Sequence, residues 1–256
     1  MVAMDYERIA NLYDTYVQVD FDLAFFLEEA GKASGEVLEL MAGTGRLSIP
    51  LAEAGARLTC VDQSAGMLAV LREKLEKRGL SARVHQMDVC DLDLHQRFEL
   101  ILLPFNSFAE LLSRTDQERA LRRIREHLTD DGRFVCTLHN PPARLRSIDG
   151  QLRLWGRFPL SDQQGTLFLW SMENYDSAER TVKGYQFYEE YDAHNVLRSK
   201  SFVDIRFCLH DRAVFEALAE AVGFRVEALY GDYSYSPFKE GESDFMIWVL
   251  QNSNLT

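Results

Sequence analysis

The sequence predicts an α/β protein built on a doubly wound, mostly parallel sheet, and three observations predict it. Apolar strand-like runs near 36–40, 57–61, 82–86, 98–103 and 132–138 alternate with helical periodicity near 46–54, 64–78 and 115–128. The first run, Val37-Leu38-Glu39-Leu40, enters the small-residue turn Met41-Ala42-Gly43-Thr44-Gly45-Arg46. The second run ends on an acid, Asp62. Strands alternating with helices imply right-handed crossovers and hence parallel pairing. A glycine turn after one strand and an acid at the tip of the next is how such sheets hold a nucleoside ribose.

The elements follow in order. Ile9, Leu12, Tyr13 and Tyr16 fall at helical spacing and are followed by Phe21, Leu23, Phe25, Phe26 and Leu27, so residues 1–35 read as an amphipathic helical cap. Gly43 and Gly45 lack Cβ atoms and can take positive φ, which lets a ligand press on bare backbone. The helix starting at Arg46 aims free N–H groups at any arriving anion. Ser64 is placed to cap the second helix, and Ser107-x-x-Glu110 reads as a capping box after the fourth strand. Asp130-Asp131-Gly132 reads as a turn feeding the fifth strand. Residues 151–208 then alternate aromatic and polar side chains, as antiparallel strands do, with turns near Asp176-Ser177 and His194-Asn195. A helix over 211–222 stops at Gly223, and strands near 224–230 and 243–250 complete a seven-stranded sheet whose last strand is antiparallel. The expected division is 36–141 with 209–256 as the main domain and 142–208 as an antiparallel β insert covering its mouth.

Composition narrows the partners. With 256 residues and a net charge of −12, the chain lacks the basic surface that sequence-independent nucleic-acid binding needs. No apolar run reaches the ~18 residues of a membrane span. Met1 to Arg8 lack the basic start and apolar core of an export signal. Cys60, Cys90, Cys136 and Cys208 are scattered without a Cys-x-x-Cys pair and read as reduced core thiols. The expectation is a cytoplasmic protein with a small-molecule partner, no nucleic acid and no membrane. His127 falls late on a helix, where it complements the dipole, and His85, His95, His194 and His210 form no ligand spacing, so no metal is expected.

Four segments at the expected carboxyl ends of parallel strands carry a resemblance: Glu39 to Arg46, Val61-Asp62-Gln63-Ser64, Met87-Asp88-Val89, and Leu102-Leu103-Pro104-Phe105-Asn106-Ser107-Phe108. Together they resemble class I S-adenosylmethionine (SAM)-dependent methyltransferases, and the resemblance spans nearly the whole chain. Asn106 to Leu111 and Gly231-Asp232-Tyr233 are similar to the glycine N-methyltransferases, and the aromatic insert is similar to both these and the aminosugar N-methyltransferases. The resemblance implies a Rossmann-like sheet, SAM as cofactor with S-adenosylhomocysteine (SAH) as product, and a nitrogen or oxygen of a small molecule as acceptor. It leaves a homodimer open. Met41 departs from the first glycine of Gly-x-Gly-x-Gly, which disfavours a dinucleotide.

The same resemblance assigns roles. Met41, Ala42, Gly43 and Gly45 form the cofactor turn, with Leu103 and Asn106 beside it. Glu39 receives the methionyl ammonium, directly or through water, rather than being a surface acid. Asp62 accepts from the ribose hydroxyls, or is only a helix-start acid, with Gln63 flanking it. Asp88 accepts from the adenine amine beside the Val89 backbone, or makes a local turn. Met67 walls the adenine or is plain core. Tyr6, Tyr13 and Tyr16 fold over the site, Tyr13 best matching a tyrosine that related enzymes keep near the cofactor carboxylate or acceptor; each can equally be core. His139 follows strand five as a proton acceptor, an orienting group or a strand cap. Asn140 can meet the acceptor, and Arg144 and Arg146 can meet a carboxylate or phosphate on it, one of the two arginines alternatively being only part of a lid salt bridge. Two rivals stay open: an NAD(P)-dependent reductase, for which no Tyr-x-x-x-Lys appears over 104–150, and a non-catalytic SAM- or SAH-binding regulator.

Overall fold

Each central strand divides its side chains between two cores, as a period of two requires of a sheet covered on both faces. In β1 (Glu36–Leu40) and β4 (Phe98–Leu103), Leu38, Leu40, Ile101 and Leu103 enter one core, while Val37, Leu100 and Leu102 enter the other. These belong to a computed structural model that describes residues 4–160 and 165–253. Residues 1–3 of the expected helical cap, 161–164 of the expected insert and 254–256 lie outside the described residues.

The main sheet has seven strands in the order β10-β11-β5-β4-β1-β2-β3. Here β2 is Arg57–Asp62, β3 Arg83–Gln86, β5 Leu128–His139, β10 Phe224–Tyr230 and β11 Phe245–Asn252. Strands β1 to β5 pair in parallel, and β11 runs antiparallel to both β5 and β10. One face is covered by α5 (Arg114–Glu126) and α7 (Arg212–Ala221), through Leu121, Ile124, Phe215 and Leu218. The other is covered by α2 (Leu23–Gly31), α3 (Ser48–Glu53) and α4 (Ala65–Arg78), through Phe25, Phe26, Leu51, Leu68 and Leu71. Among the described residues no helix is long and apolar enough to cross a membrane.

A second sheet, in the order β6-β7-β8-β9, is wholly antiparallel: Arg153–Pro159, Gly165–Asp176, Thr181–Asp192 and Leu197–Cys208. It follows β5 through the short helix α6 (Pro141–Leu145). A third core joins it to the N-terminal segment. Ile9, Tyr16 and Val17, around α1 (Ala10–Tyr16), pack with Leu167, Leu169, Tyr188 and Val203. The first thirty residues are therefore two helices separated by residues 17–22, not one run.

Three local expectations are corrected. Asp130-Asp131-Gly132 is not a turn before β5 but an irregular stretch inside it, where the register against β4 jumps between Phe98–Leu128 and Leu100–Arg133. Ser107-x-x-Glu110 is not a capping box. Asn106 occupies the cap position at φ 63° with no side-chain cap bond, and Ser107–Glu110 is a single 3-10 turn. Ser64 does cap α4, accepting from the Met67 N–H at 3.1 Å. The first crossover helix begins at Ser48 rather than Arg46, because the loop keeps positive φ at Gly43 and Gly45.

Candidate active site

The loop after β1 and the tip of β2 are tied by one carboxylate. Asp62 Oδ2 accepts from the Gly43 N–H at 2.8 Å and Oδ1 from the Ser64 N–H at 2.8 Å. Burial pushes its pKa up, and the Ser64 and Gly43 N–H groups oppose that. Gly43 has φ +58° and open space where a Cβ would stand, so a bound group can approach the backbone there. Gly45 serves a different purpose. Its φ is +86°, and a Cβ would strike the Leu71 side chain, so it is needed for packing on α4 rather than for ligand approach.

Over these strand ends lies a cavity of about 1480 Å³. Of the residues singled out in the sequence, Met41, Gly43, Asp62, Gln63, Met67, Asp88, Val89 and Asn106 line one part. Tyr6, Tyr13, Tyr16, His139 and Arg144 line the rest. Asp88 also caps its own turn, accepting from the Cys90 N–H at 2.8 Å. Asn106 has a buried Oδ1 without a hydrogen-bond partner among the described residues, aligned with no local need. The roof comes from the N-terminal segment and the antiparallel sheet, with Trp155, Ser171 and Gln186 in its lining.

Other expected residues do not reach the cavity. Ala42 and Leu103 are core, and Ala42 donates its N–H to Val61 O at 3.0 Å. Glu39 is 1 % exposed behind the loop, where the Ser48 hydroxyl donates to it at 2.5 Å. Burial pushes its pKa up to about 8. Asn140, expected at the acceptor, does not line the cavity. Its Nδ2 donates to Glu240 O at 2.7 Å and Ser243 O at 2.6 Å, tying the end of β5 to the loop before β11. Asn140→Ala is expected to cost about 1–3 kcal/mol of stability, by removing two hydrogen bonds made by a buried amide, with SAH affinity unchanged. Urea unfolding beside calorimetry checks this; a loss confined to SAH affinity would contradict it.

The upper part of the cavity is aromatic. Tyr6, Tyr13 and Tyr16 form successive edge-on contacts, and Tyr16 continues to Trp155. The Tyr16 and Tyr188 hydroxyls share a hydrogen bond of 3.1 Å, which occupies the polar end of Tyr16. Tyr13 keeps its proton because burial pushes its pKa up. His139 stacks on Phe245, and burial, with the Arg144 charge, pushes its pKa down to about 3. It is a neutral ring and a poor proton acceptor. Arg144 forms a salt bridge with Glu173 and lies 5.2 Å over the Phe207 ring, the lid-bridge alternative.

Two residues escaped the sequence reading. Arg46 reaches back to Asp22, which is 0 % exposed, through paired bonds of 2.5 and 2.6 Å. It also covers Phe105 at 4.5 Å. Glu110 stands in the cavity wall, accepting from the Tyr6 hydroxyl at 2.5 Å. The signal for Arg46 was its place in the turn motif; for Glu110 it was the resembling segment Asn106 to Leu111, where it was read as a cap.

Residues 37–132, from β1 into β5, match the family model described as a methyltransferase domain. Residues 37–132 therefore carry a methyltransferase domain. The chain is 33% identical over 119 residues to a glycine/sarcosine N-methyltransferase of Halorhodospira halochloris, covering 45% of this chain and 44% of that one. It is 29% identical over 136 residues to the dTDP-3-amino-3,6-dideoxy-alpha-D-glucopyranose N,N-dimethyltransferase of Streptomyces fradiae, covering 50% and 52%. The chain thus spans about half the length of these curated relatives. Its fold matches the solved CcbJ methyltransferase from Streptomyces caelestis with TM-score 0.78 at 24% identity, over 96% of each chain.

Proposed function

We propose that the chain is a SAM-dependent methyltransferase that passes the methyl group of SAM to an amine nitrogen of a small molecule. The observation that carries the reading is the volume of the cleft over the strand ends. About 1480 Å³ exceeds the ~300–1,000 Å³ usual for one small ligand, so the cavity has room for cofactor and acceptor together. The relatives act, by their names, on glycine or sarcosine and on an aminosugar nucleotide, which supports nitrogen and a small acceptor. The net charge of −12 supports the exclusion of nucleic acid, and the free, buried cysteines among the described residues support a reducing cytoplasm.

The residues present suit SAM. Asp62 offers its remaining lone pairs to ribose hydroxyls, Asp88 and Val89 border the adenine, and Met67 packs beside it. Gly43 leaves the space that a Cβ would fill, and the orphaned Asn106 Oδ1 supplies a buried acceptor. Glu39 sits behind the loop as the counter-charge for an ammonium. When bound, SAM supplies an electrophilic methyl on a sulfonium. The chain's part is to orient the acceptor in line with that methyl and to exclude water, which can supply most of the acceleration. Tyr13, Tyr16 and the neutral His139 shape the acceptor end, and residues 142–208 with 1–35 act as its lid.

Calorimetric titration with SAH tests the reading. Micromolar binding by the wild type, weakened tenfold or more in Asp62→Ala, is expected, a loss of at least about 1.4 kcal/mol. Turnover of an amine then separates an enzyme from a SAM-binding regulator. A wild type that does not bind SAH would sink the reading.

A further inference from the structure

Most acids in the cavity wall accept from backbone N–H groups or pair with cations, and Asp116 and Glu110 receive a side-chain hydroxyl instead. Asp62 and Asp88 accept from backbone N–H groups, Asp116 receives the Ser113 hydroxyl, and Glu173, Asp149 and Glu179 are paired with Arg144, Arg153 and Lys183. Glu110 receives only the Tyr6 hydroxyl and forms no salt bridge among the described residues. It stands beyond the end of β4, the central strand between β1 and β5, facing the N-terminal aromatic segment. A carboxylate withdrawn from water without a cation is costly, and the cost is relieved when a ligand brings one.

We propose that Glu110 is the seat of the acceptor's amine: it binds the ammonium group and takes one of its N–H protons. The inference rests on the methyltransferase reading above. The carboxylate removes a proton from R–NH3+, which leaves R–NH2 with a free electron pair. That pair forms the N–C bond to the methyl carbon while the C–S bond breaks. The C–S electrons return to sulfur, which becomes a neutral thioether. The product leaves as R–NH2–CH3+, and the proton on Glu110 passes to water.

The electrostatics agree. Burial pushes Glu110 up to about 7, the Tyr6 hydrogen bond pulls it down and the Asp62 charge pushes it up. A carboxyl there is far better matched to an amine than His139 at about 3. Around it, Tyr6 and Tyr13 face it from the N-terminal segment and Asp62 from the tip of β2, while Asp116 and Arg119 on α5 and Arg206 on β9 line the same cavity. Tyr6 and Tyr13 keep their protons, so neither competes for the one at issue.

The test uses the full chain with dTDP-3-amino-3,6-dideoxy-α-D-glucopyranose and glycine as acceptor probes, and SAH calorimetry as the second readout. The wild type is expected to methylate one of them, with an acidic limb in kcat/KM near pH 7. Glu110→Gln should lower kcat/KM at least tenfold and abolish that limb, while SAH affinity stays within about twofold. Tyr6→Phe should move the limb to higher pH by removing the bond that favours the carboxylate. Wild-type kcat/KM and an intact limb in Glu110→Gln would overturn the proposal. So would a parallel loss of SAH affinity, which would put Glu110 on the cofactor side. A wild type that binds SAH but methylates neither probe overturns the amine assignment alone; one that does not bind SAH removes the methyltransferase reading.

Discussion

Arg46→Met is expected to destabilise the protein by about 3–5 kcal/mol, roughly a 10 °C fall in Tm for a chain of this size. The reason is the partner left behind. Asp22 is 0 % exposed and held by two parallel bonds from the guanidinium, a geometry lysine cannot reproduce. Truncation strands a buried charge, and it also removes the flat cover over Phe105 and the bond to Val19 O. Replacing both partners, Arg46→Met with Asp22→Leu, should restore much of the loss, since no charge then remains to be solvated. Thermal unfolding of the four species decides it. A double variant as unstable as the single would show that the packing of Arg46, not its charge, is what matters.

Glu39→Gln is expected to stabilise the ligand-free protein at pH 8 by roughly 3 kcal/mol more than it does at pH 5. The carboxyl has an ordinary value near 4.5 and is pushed up to about 8 in the fold by burial, with the Ser48 bond and the Arg46 charge opposing. Between those values the unfolded chain has lost the proton and the folded chain has kept it. Stability therefore falls as pH rises through that window, and the neutral amide removes the fall. Glu110 contributes a slope of the same sign, which cancels when variant and wild type are compared at each pH. Urea midpoints at pH 5 and 8 give the difference directly; an equal offset at both would refute the linkage. The same variant should bind SAH more weakly, because the acid kept at a cost to stability is the one proposed to face the ligand's ammonium.

The main sheet could be read from the sequence because its strands are covered on both sides and therefore announce themselves as apolar runs. Residues 98–103 are a case in point, since Phe98, Leu100, Ile101, Leu102 and Leu103 are all 0 % exposed. Asp62 was legible too, as an acid ending such a run. Partners distant in sequence were not legible. Nothing in Arg46 names Asp22, and nothing in Glu110 names Tyr6, because those pairings exist only once α1 and the loops have docked. Ser107-x-x-Glu110 has the spacing of a cap, yet Asn106 enters the left-handed region and turns the segment so that Glu110 faces the cavity. Gly43 and Gly45 look equivalent in the motif, and only the position of Leu71 separates their purposes.

The position of β11 bears on how the protein is made. Residues 245–252 sit between β5 and β10, hydrogen-bonded on both sides. During translation the preceding strands emerge first, so β5 carries a bare edge and β10 has no neighbour until residue 252 has left the ribosome. Unpaired apolar edges of that kind are where nascent chains stick to one another. Val249, Leu250 and Trp248 are buried only when this last strand is in place, so until then the apolar edge it covers stays open to such contacts.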